Sequence, residues 1–273
     1  MIRLRLEDIL RRVQRGEISI EEAIKQIRLF AIETLGNDVR FDLGRELRRD
    51  VPEIIYAETK ENDVLLQLVE KTVRRVGRVI ISRLRDDQIG ALESLRERYV
   101  VKLSKAGHIA SVKQKGYTQA KYEGNVGIVT GGTADIMIAE EAGFIVKELG
   151  CKVIKLYDVG IAGIQRTLEA VKRLMREDVD VVIVIAGMEG ALPSVMASLL
   201  NVPIIGVPTS VGYGLGGRGY AALLSMLQAC PLGVAVVNID NGVNAGVIAA
   251  LIARRVGMYR SMAKEKRTSM STP

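Results

Sequence analysis

Residues 181–208 read VVIVIAGMEGALPSVMASLLNVPIIGVP. A run of apolar, mostly β-branched residues ends at a glycine-flanked loop. A short apolar helical segment, LPSVMASLL, follows, and then a second β-branched run, PIIGVP. Strand, loop, helix and strand make a β-α-β unit, and strands without polar alternation must be covered on both faces. The rhythm extends in both directions. NVGIVT (125–130), KVIKLY (152–157) and GVAVVN (233–238) are runs of the same kind. IMIAEEAGFIVKELG, IQRTLEAVKRLMR, AALLSMLQA and NAGVIAALIARR supply further helices. The expected fold is a three-layer α/β domain, a parallel sheet with helices on both faces.

The first half is shorter in period and mixed. LEDILRRV and SIEEAIKQI are amphipathic helical patterns separated by a turn at Arg15-Gly16, and Ser19 and Glu22 have capping-box spacing. EIIYAE (53–58) and GRVIISRL (77–84) have strand character, with the helical DVLLQLVEKTVRR between them. The expected organisation is a small α+β domain over residues 1–120, the parallel-sheet domain over 121–255, and a basic, frayed tail over 256–273. KAGHIASVKQKGYTQAKYEGN (105–125), which holds His108, reads as an exposed hairpin or linker.

The chain has 273 residues, 48% of them hydrophobic, enough for one large core or two moderate ones. Two cysteines and one histidine cannot build a disulfide framework or a structural zinc site. Reduced, cytoplasmic conditions are expected. No apolar run reaches membrane-spanning length without interruption. The net charge of +7 is carried by residues 1–125 and 254–273, while 126–253 are net acidic. Aromatics make up 4% of the chain, which leaves little to stack on bases. A nucleic-acid partner is therefore not expected.

In open parallel sheets, ligands bind beyond the carboxyl ends of the strands. The loops there are TGGTAD (130–135), DVGIAGIQR (158–166), AGMEGALPS (186–194), PTSVGYGLGGRG (208–219) and NIDNGVNAG (238–246). Glycine lets backbone N–H groups approach a ligand, and helix N-termini favour anions. Such loops along one edge point to a phosphate-bearing small molecule. The candidate contacts are Gly131, Gly132, Thr133, Asp135, Asp158, Gly160, Gly163, Arg166, Gly187, Met188, Leu192, Ser194 and Asn238. Asp240 and Asn241 either bind ribose hydroxyls or cap the last helix. Glu189, between glycines at the sheet edge, is placed to hold a metal ion, aim a water or move a proton.

From GNVGIVTGGTADIMIAEEA onward the chain resembles the PurE-type aminoimidazole ribonucleotide carboxylases and mutases, through the TGGTAD loop, AGMEGALPSVMASLLNVPIIGVP and ALLSMLQACPLGVAVVN. The resemblance implies a PurE/flavodoxin-like fold. PurE enzymes carry a Ser-Ala-His-Arg pattern in the second loop, where this chain has Ala162-Gly163-Ile164-Gln165-Arg166. They also have methionine where this chain has Cys230. These departures lead to a sister family. YDVGIAGI, VIAGMEGALPSV, VPTSVGYG, the cysteine after SMLQA and VVNIDNG, with the N-terminal VRFDLGRELRRDVPEIIYAETK, closely resemble the LarB family of pyridinium biscarboxylic acid mononucleotide synthases.

That resemblance implies nicotinic acid adenine dinucleotide and carbon dioxide or bicarbonate as substrates. It implies Cys230 as nucleophile, Glu189 for the hydrolytic step with Mg²⁺ as a possible helper, no organic cofactor, and a homo-oligomer, an octamer in PurE enzymes. An electron-poor pyridinium needs covalent activation, which a thiolate supplies; Cys151, opening a strand, is left to the core. The alternatives are a purine-pathway carboxylase and a non-catalytic nucleotide-binding module. Cys230 lies after a helix and before a strand, so it is expected at the end of the sheet opposite the glycine-rich loops. Either the substrate stretches unusually far or a neighbouring subunit delivers Cys230, and the resemblance to PurE enzymes, with sites at subunit contacts, implies the second.

Overall fold

A computed structural model of the chain describes residues 2–28, 33–35, 39–41, 49–104 and 106–270. Residues 42–48 of the VRFDLGRELRR motif and residues 271–273 of the expected tail lie outside them.

The second half forms a five-stranded, all-parallel sheet. Its strands are β7 (Asn125–Thr130), β8 (Lys152–Leu156), β9 (Val181–Ala186), β10 (Ile204–Pro208) and β11 (Val234–Val236). Their spatial order is β11-β10-β9-β7-β8. The chain moves outward from β7 to β8 and then returns to the other side of β7, which makes the gap between β7 and β9 the switch point. Helices α5 (Ile136–Glu148) and α9 (Gly242–Met270) cover one face. Helices α6 (Ile164–Arg176), α7 (Leu192–Leu199) and α8 (Tyr220–Leu227) cover the other. This is the α/β architecture the β-branched runs called for.

The first half begins with helices α1 (Ile2–Gln14) and α2 (Ile20–Arg28), and the Glu22 N–H donates to Ser19 Oγ at 3.1 Å. Strands β1 (Glu33–Leu35) and β2 (Val39–Phe41) pair antiparallel. The core of this half is a four-stranded sheet of β3 (Ile54–Tyr56), β4 (Arg78–Ser82), β6 (Ile109–Lys113) and β5 (Val100–Ser104), in that order. Helices α3 (Asn62–Val76) and α4 (Asp86–Glu93) pack Leu65, Val69, Val73 and Leu92 on one of its faces. The other face is covered in part by the second half of the chain. Ile80 and Ile109 enter the same core as Ile138, Ala139 and Ala142 of α5.

Burial of β6 on both of its faces corrects one sequence expectation. Residues 109–113 are a fully buried inner strand, not an exposed hairpin. Its lysine is tolerated because a partner waits on α5: Lys113 Nζ lies 2.6 Å from Glu148 Oε2 and 2.6 Å from Gln119 Oε1. Arg78 donates to the Glu148 carbonyl at 3.0 Å. Burial still lowers the Lys113 pKa, against the pull of Glu148.

The tail is corrected as well. The basic residues expected to fray from 256 onward continue α9 to Met270. Arg260 donates to Asp180 Oδ1 at 2.7 Å, and Lys264 reaches Glu123 Oε2 at 2.6 Å. The basic end thus answers acids of its own domain.

Helices α5 and α9 cross closely through small residues. A Cβ at Gly246 would fall 2.7 Å from the Ala142 carbonyl oxygen and 2.9 Å from Ile145 Cβ. Backbone cannot yield as a flexible side-chain tip can, so Gly246→Val should destabilise the fold by about 1–3 kcal/mol. Urea unfolding checks this; a midpoint equal to the parent's would show that the crossing has slack.

Candidate active site

The edge loops come together because glycines let backbone press on backbone. A Cβ at Gly160 would lie 2.5 Å from the Gly131 carbonyl oxygen, and one at Gly187 would lie 2.3 Å from that of Val211. Asp158, Met188, Arg218 and Asp240 hold left-handed backbone, with φ of 54°, 51°, 57° and 55°. Such conformations cost energy and persist where surrounding structure over-determines them.

A crevice of about 220 Å³ sits at the switch point. Gly131, Gly132, Asp135, Gly160, Gly187, Met188, Glu189 and Leu192 line it. Asp135 is buried and fully engaged: its Oδ1 accepts from Thr209 Oγ1 at 2.7 Å, and its Oδ2 from the Gly132 N–H at 3.0 Å. Burial raises its pKa, opposed by those two bonds. Glu189 is exposed and has no hydrogen-bond partner among the described residues. Of the two acids lining the crevice, it is the one free to meet a ligand. Thr133, Asp158, Gly163, Arg166 and Ser194 do not line the crevice; Asp158 and Arg166 form an ion pair beside it at 2.5 Å.

Asn238, Asp240 and Asn241 belong to a second, larger cleft of about 1150 Å³ between the two halves of the chain. Asn241 Oδ1 accepts from the Asn244 N–H at 2.9 Å, so Asn241 caps α9. Asp240 Oδ1 accepts from the Ser210 N–H at 2.8 Å. Arg83 donates to the Asp240 carbonyl oxygen and lies 3.6 Å from Glu141 Oε1. Arg83 and Glu141 escaped the sequence reading. The available signal was an acid pair, Glu140-Glu141, within an otherwise apolar helical stretch.

Cys230 is exposed and Cys151 is buried. Burial pushes the Cys151 thiol up to about 11, which makes it inert as a nucleophile. Cys230 lies at the amino-terminal end of the sheet: three residues later the Gly233 carbonyl accepts from the Ile204 N–H, at the start of β10. His108 is in the β5–β6 turn of the first half, its Nδ1 2.7 Å from the Leu84 carbonyl oxygen. It lines neither cavity.

Comparison with known proteins now adds the family. Residues 32–114 match a LarB/PurE-like N-terminal domain, and residues 125–272 match the AIR carboxylase domain. The chain belongs to the LarB family. It is 42% identical to an uncharacterized protein of Methanocaldococcus jannaschii over 252 residues, 91% of this chain and 97% of that one. The N5-carboxyaminoimidazole ribonucleotide mutase of the same organism is 38% identical over 149 residues, 51% of this chain and 90% of the mutase. The corresponding mutase of Thermotoga maritima is 31% identical over 153 residues, 52% of this chain and 86% of the mutase. These matches indicate an enzyme of the PurE-like carboxylase and mutase type. No helix among the described residues is long and apolar enough to cross a membrane.

Glu141 provides a test of the larger cleft's electrostatics. Burial raises its pKa from 4.5 to about 7, against Arg83 and the Val243 and Gly242 amides, while Asp240 adds to the rise. A native pKa above the unfolded value means that the contribution to stability is full below pH 4.5 and is lost as pH rises through 7. Glu141→Gln removes this dependence. Relative to the variant, the parent should lose up to about 3 kcal/mol between those pH values. Denaturant unfolding across pH measures it; parallel curves for the two proteins would refute the assignment.

Proposed function

We propose that the protein carboxylates the pyridinium ring of nicotinic acid adenine dinucleotide, using carbon dioxide or bicarbonate, and hydrolyses its phosphoanhydride. The products are pyridinium-3,5-biscarboxylic acid mononucleotide and AMP, and the reaction is the first step of nickel-pincer nucleotide synthesis. The carrying observation is the contrast between the two thiols in a chain with a LarB/PurE-like N-terminal domain: Cys230 is exposed and Cys151 buried. A purine-type carboxylation by a histidine shuttle has less support, since His108 lines neither cavity and the second loop has Gln165 near the family's histidine position.

In this reading the Cys230 thiolate adds to a ring carbon, and the pyridinium becomes a neutral, enamine-like dihydropyridine. The electron-rich carbon attacks carbon dioxide. Loss of the ring proton then expels the thiolate and restores aromaticity. The positive ring favours the thiolate by simple attraction. Glu189 serves the hydrolytic step. As the crevice's free carboxylate it would be the residue to hold a Mg²⁺ ion there. Such an ion would offset charge at the anhydride.

Reaction with labelled bicarbonate, followed by mass spectrometry, tests the reading. Cys230→Ala should abolish label incorporation, while Cys151→Ala should retain most of it. Glu189→Gln should retain some ring carboxylation and lose AMP release. Turnover of aminoimidazole ribonucleotide in place of the dinucleotide would favour the purine reading.

The two ends of a five-residue strand lie roughly 17 Å apart, so Cys230 does not serve the crevice of its own subunit. A neighbouring subunit delivers it. Leu224, Leu227 and Leu232 around Cys230 are exposed, Leu232 at 92%, as is Leu215 in the projecting loop before α8 at 106%, and a homo-oligomer would bury them. Mixing Cys230→Ala subunits with subunits disrupted at Gly131 and Gly132 should restore activity to a pair of inactive proteins. A monomer by light scattering, or no rescue after proven mixing, overturns the shared site.

A further inference from the structure

The second edge loop, residues 158–163, forms part of the crevice wall through Gly160, Ile161 and Ala162. It leaves from β8, the edge strand of the sheet, paired on one side with β7. Thr130 at the end of β7 holds the start of this loop. Its Oγ1 accepts from the Asp158 N–H and its carbonyl from the Val159 N–H, each at 3.0 Å.

A second hold comes from a cluster that lines neither cavity. Alternate residues of a strand face opposite sides. Ile154 and Leu156 enter the core beneath α6, while Lys155 and Tyr157 meet α5. The α5 partner is Glu140, about one turn into the helix. Its Oε1 accepts from Lys155 Nζ at 2.5 Å and from the Tyr157 hydroxyl. The helix makes room for the lysine: a Cβ at Gly143 would lie 2.9 Å from Lys155 Cε.

We propose that Glu140 is a positioning residue of the crevice: by holding Lys155 and Tyr157 at the end of β8, it fixes the second edge loop against the first. The role extends the dinucleotide reading above, and its kinetic test rests on that reading.

All three side chains are half-buried. Burial works to raise the Glu140 pKa, but the bonds from Lys155 and Tyr157 outweigh it and hold the carboxyl below its usual value. Burial pushes the Tyr157 phenol up, and its bond to Glu140 adds to the rise. Acceptor and donor therefore keep their protonation states around neutral pH. Stability alone does not account for the cluster, since apolar residues often replace a buried ion pair at no cost. What they do not supply is direction. Hydrogen bonds to a charged oxygen are short and specific in geometry.

The placement along α5 carries the argument further. The first loop runs directly into this helix through Thr133–Asp135. The same helix thus bears the first loop at its start and, a turn later, the hold on the second. The N-terminal unit rests at the same point: a Cβ at Gly107, in the β5–β6 turn, would lie 3.0 Å from the Glu140 carbonyl carbon.

The experiment combines amide hydrogen exchange of the full chain, read by mass spectrometry, with dinucleotide kinetics. Glu140→Ala should speed exchange about tenfold in residues 158–163 and leave the N-terminal strands β4 and β6 at the parent's rates. It should raise KM for the dinucleotide about tenfold and keep kcat within about twofold, the pattern of lost binding rather than lost chemistry. Glu140→Gln keeps an oxygen for both donors and should restore most of the parent's KM. Tyr157→Phe should raise KM in the parent and add little to Glu140→Ala, because the two share one bond; it also keeps the test alive if Glu140→Ala does not fold. Loop exchange and KM unmoved by Glu140→Ala overturn the role and leave the function standing. Faster exchange spread evenly over the chain, or a KM as high in Glu140→Gln as in Glu140→Ala, also overturns it. A loop-confined response in a protein that does not carboxylate the dinucleotide supports the hold on the loop and removes the proposed function.

Discussion

The burial of one helix, α5, organises the molecule. It is enclosed on three sides. The parallel sheet lies beneath it through Ile128, α9 presses on it through Gly242 and Gly246, and the N-terminal sheet closes over it through Ile80 and Ile109. The approach is close: a Cβ at Gly107 would lie 2.8 Å from the Glu141 amide nitrogen. Yet the helix carries two acids that are 2% and 3% exposed, Glu141 and Glu148. Buried carboxylates require compensating charge or hydrogen bonds. Arg83, Arg78 and Lys113 provide it, and all three come from the N-terminal unit. That unit is therefore the electrostatic complement of the parallel-sheet domain as well as its cover.

This arrangement explains what the sequence revealed. The five parallel strands were legible because their apolar runs and glycine loops are local signals. β11 was overestimated: only Val234–Val236 of the GVAVVN run pairs. β6 was missed because Ser111 and Lys113 make it look like a solvated hairpin, and the acid that admits Lys113 into the interior lies on a helix far along the chain. The helical continuation to Met270 was missed for the same reason. Arg260 and Lys264 look like solvated charges until Asp180 and Glu123, also distant in sequence, are folded against them. Periodicity records what a residue does alone; long-range charge pairing is absent from it.

The candidate site divides along the same line. Gly131, Gly132, Gly160, Gly187, Asp135 and Glu189 were legible as crevice-lining residues, because close backbone approach and an acid at a sheet edge are local features. The allocation of the NIDNG loop to a separate cleft was not, since half of that cleft comes from the N-terminal unit. Asp158 and Arg166 read as ligand contacts because of their loop; the structure pairs them with each other at 2.5 Å, beside the crevice.

A hydrogen-bonded series connects the N-terminal unit to the first glycine-rich loop. Arg83 holds the Asp240 carbonyl, Asp240 holds the Ser210 amide, Thr209 holds Asp135, and Asp135 holds the Gly132 amide. Each such bond contributes only about 1 kcal/mol to stability. Their larger effect is positional. Groups that stabilise developing charge work best when fixed before the reaction, because no reorganisation is then needed as the charge appears. In the edge loops Asp158, Met188, Arg218 and Asp240 take left-handed backbone, and the bonds of the series hold Asp240 in place. A PurE-like domain alone has the sheet and the loops. The N-terminal unit adds Arg83 at one end of the series and the buried charges beside α5, and so makes the geometry of the loops depend on the docking of the two halves.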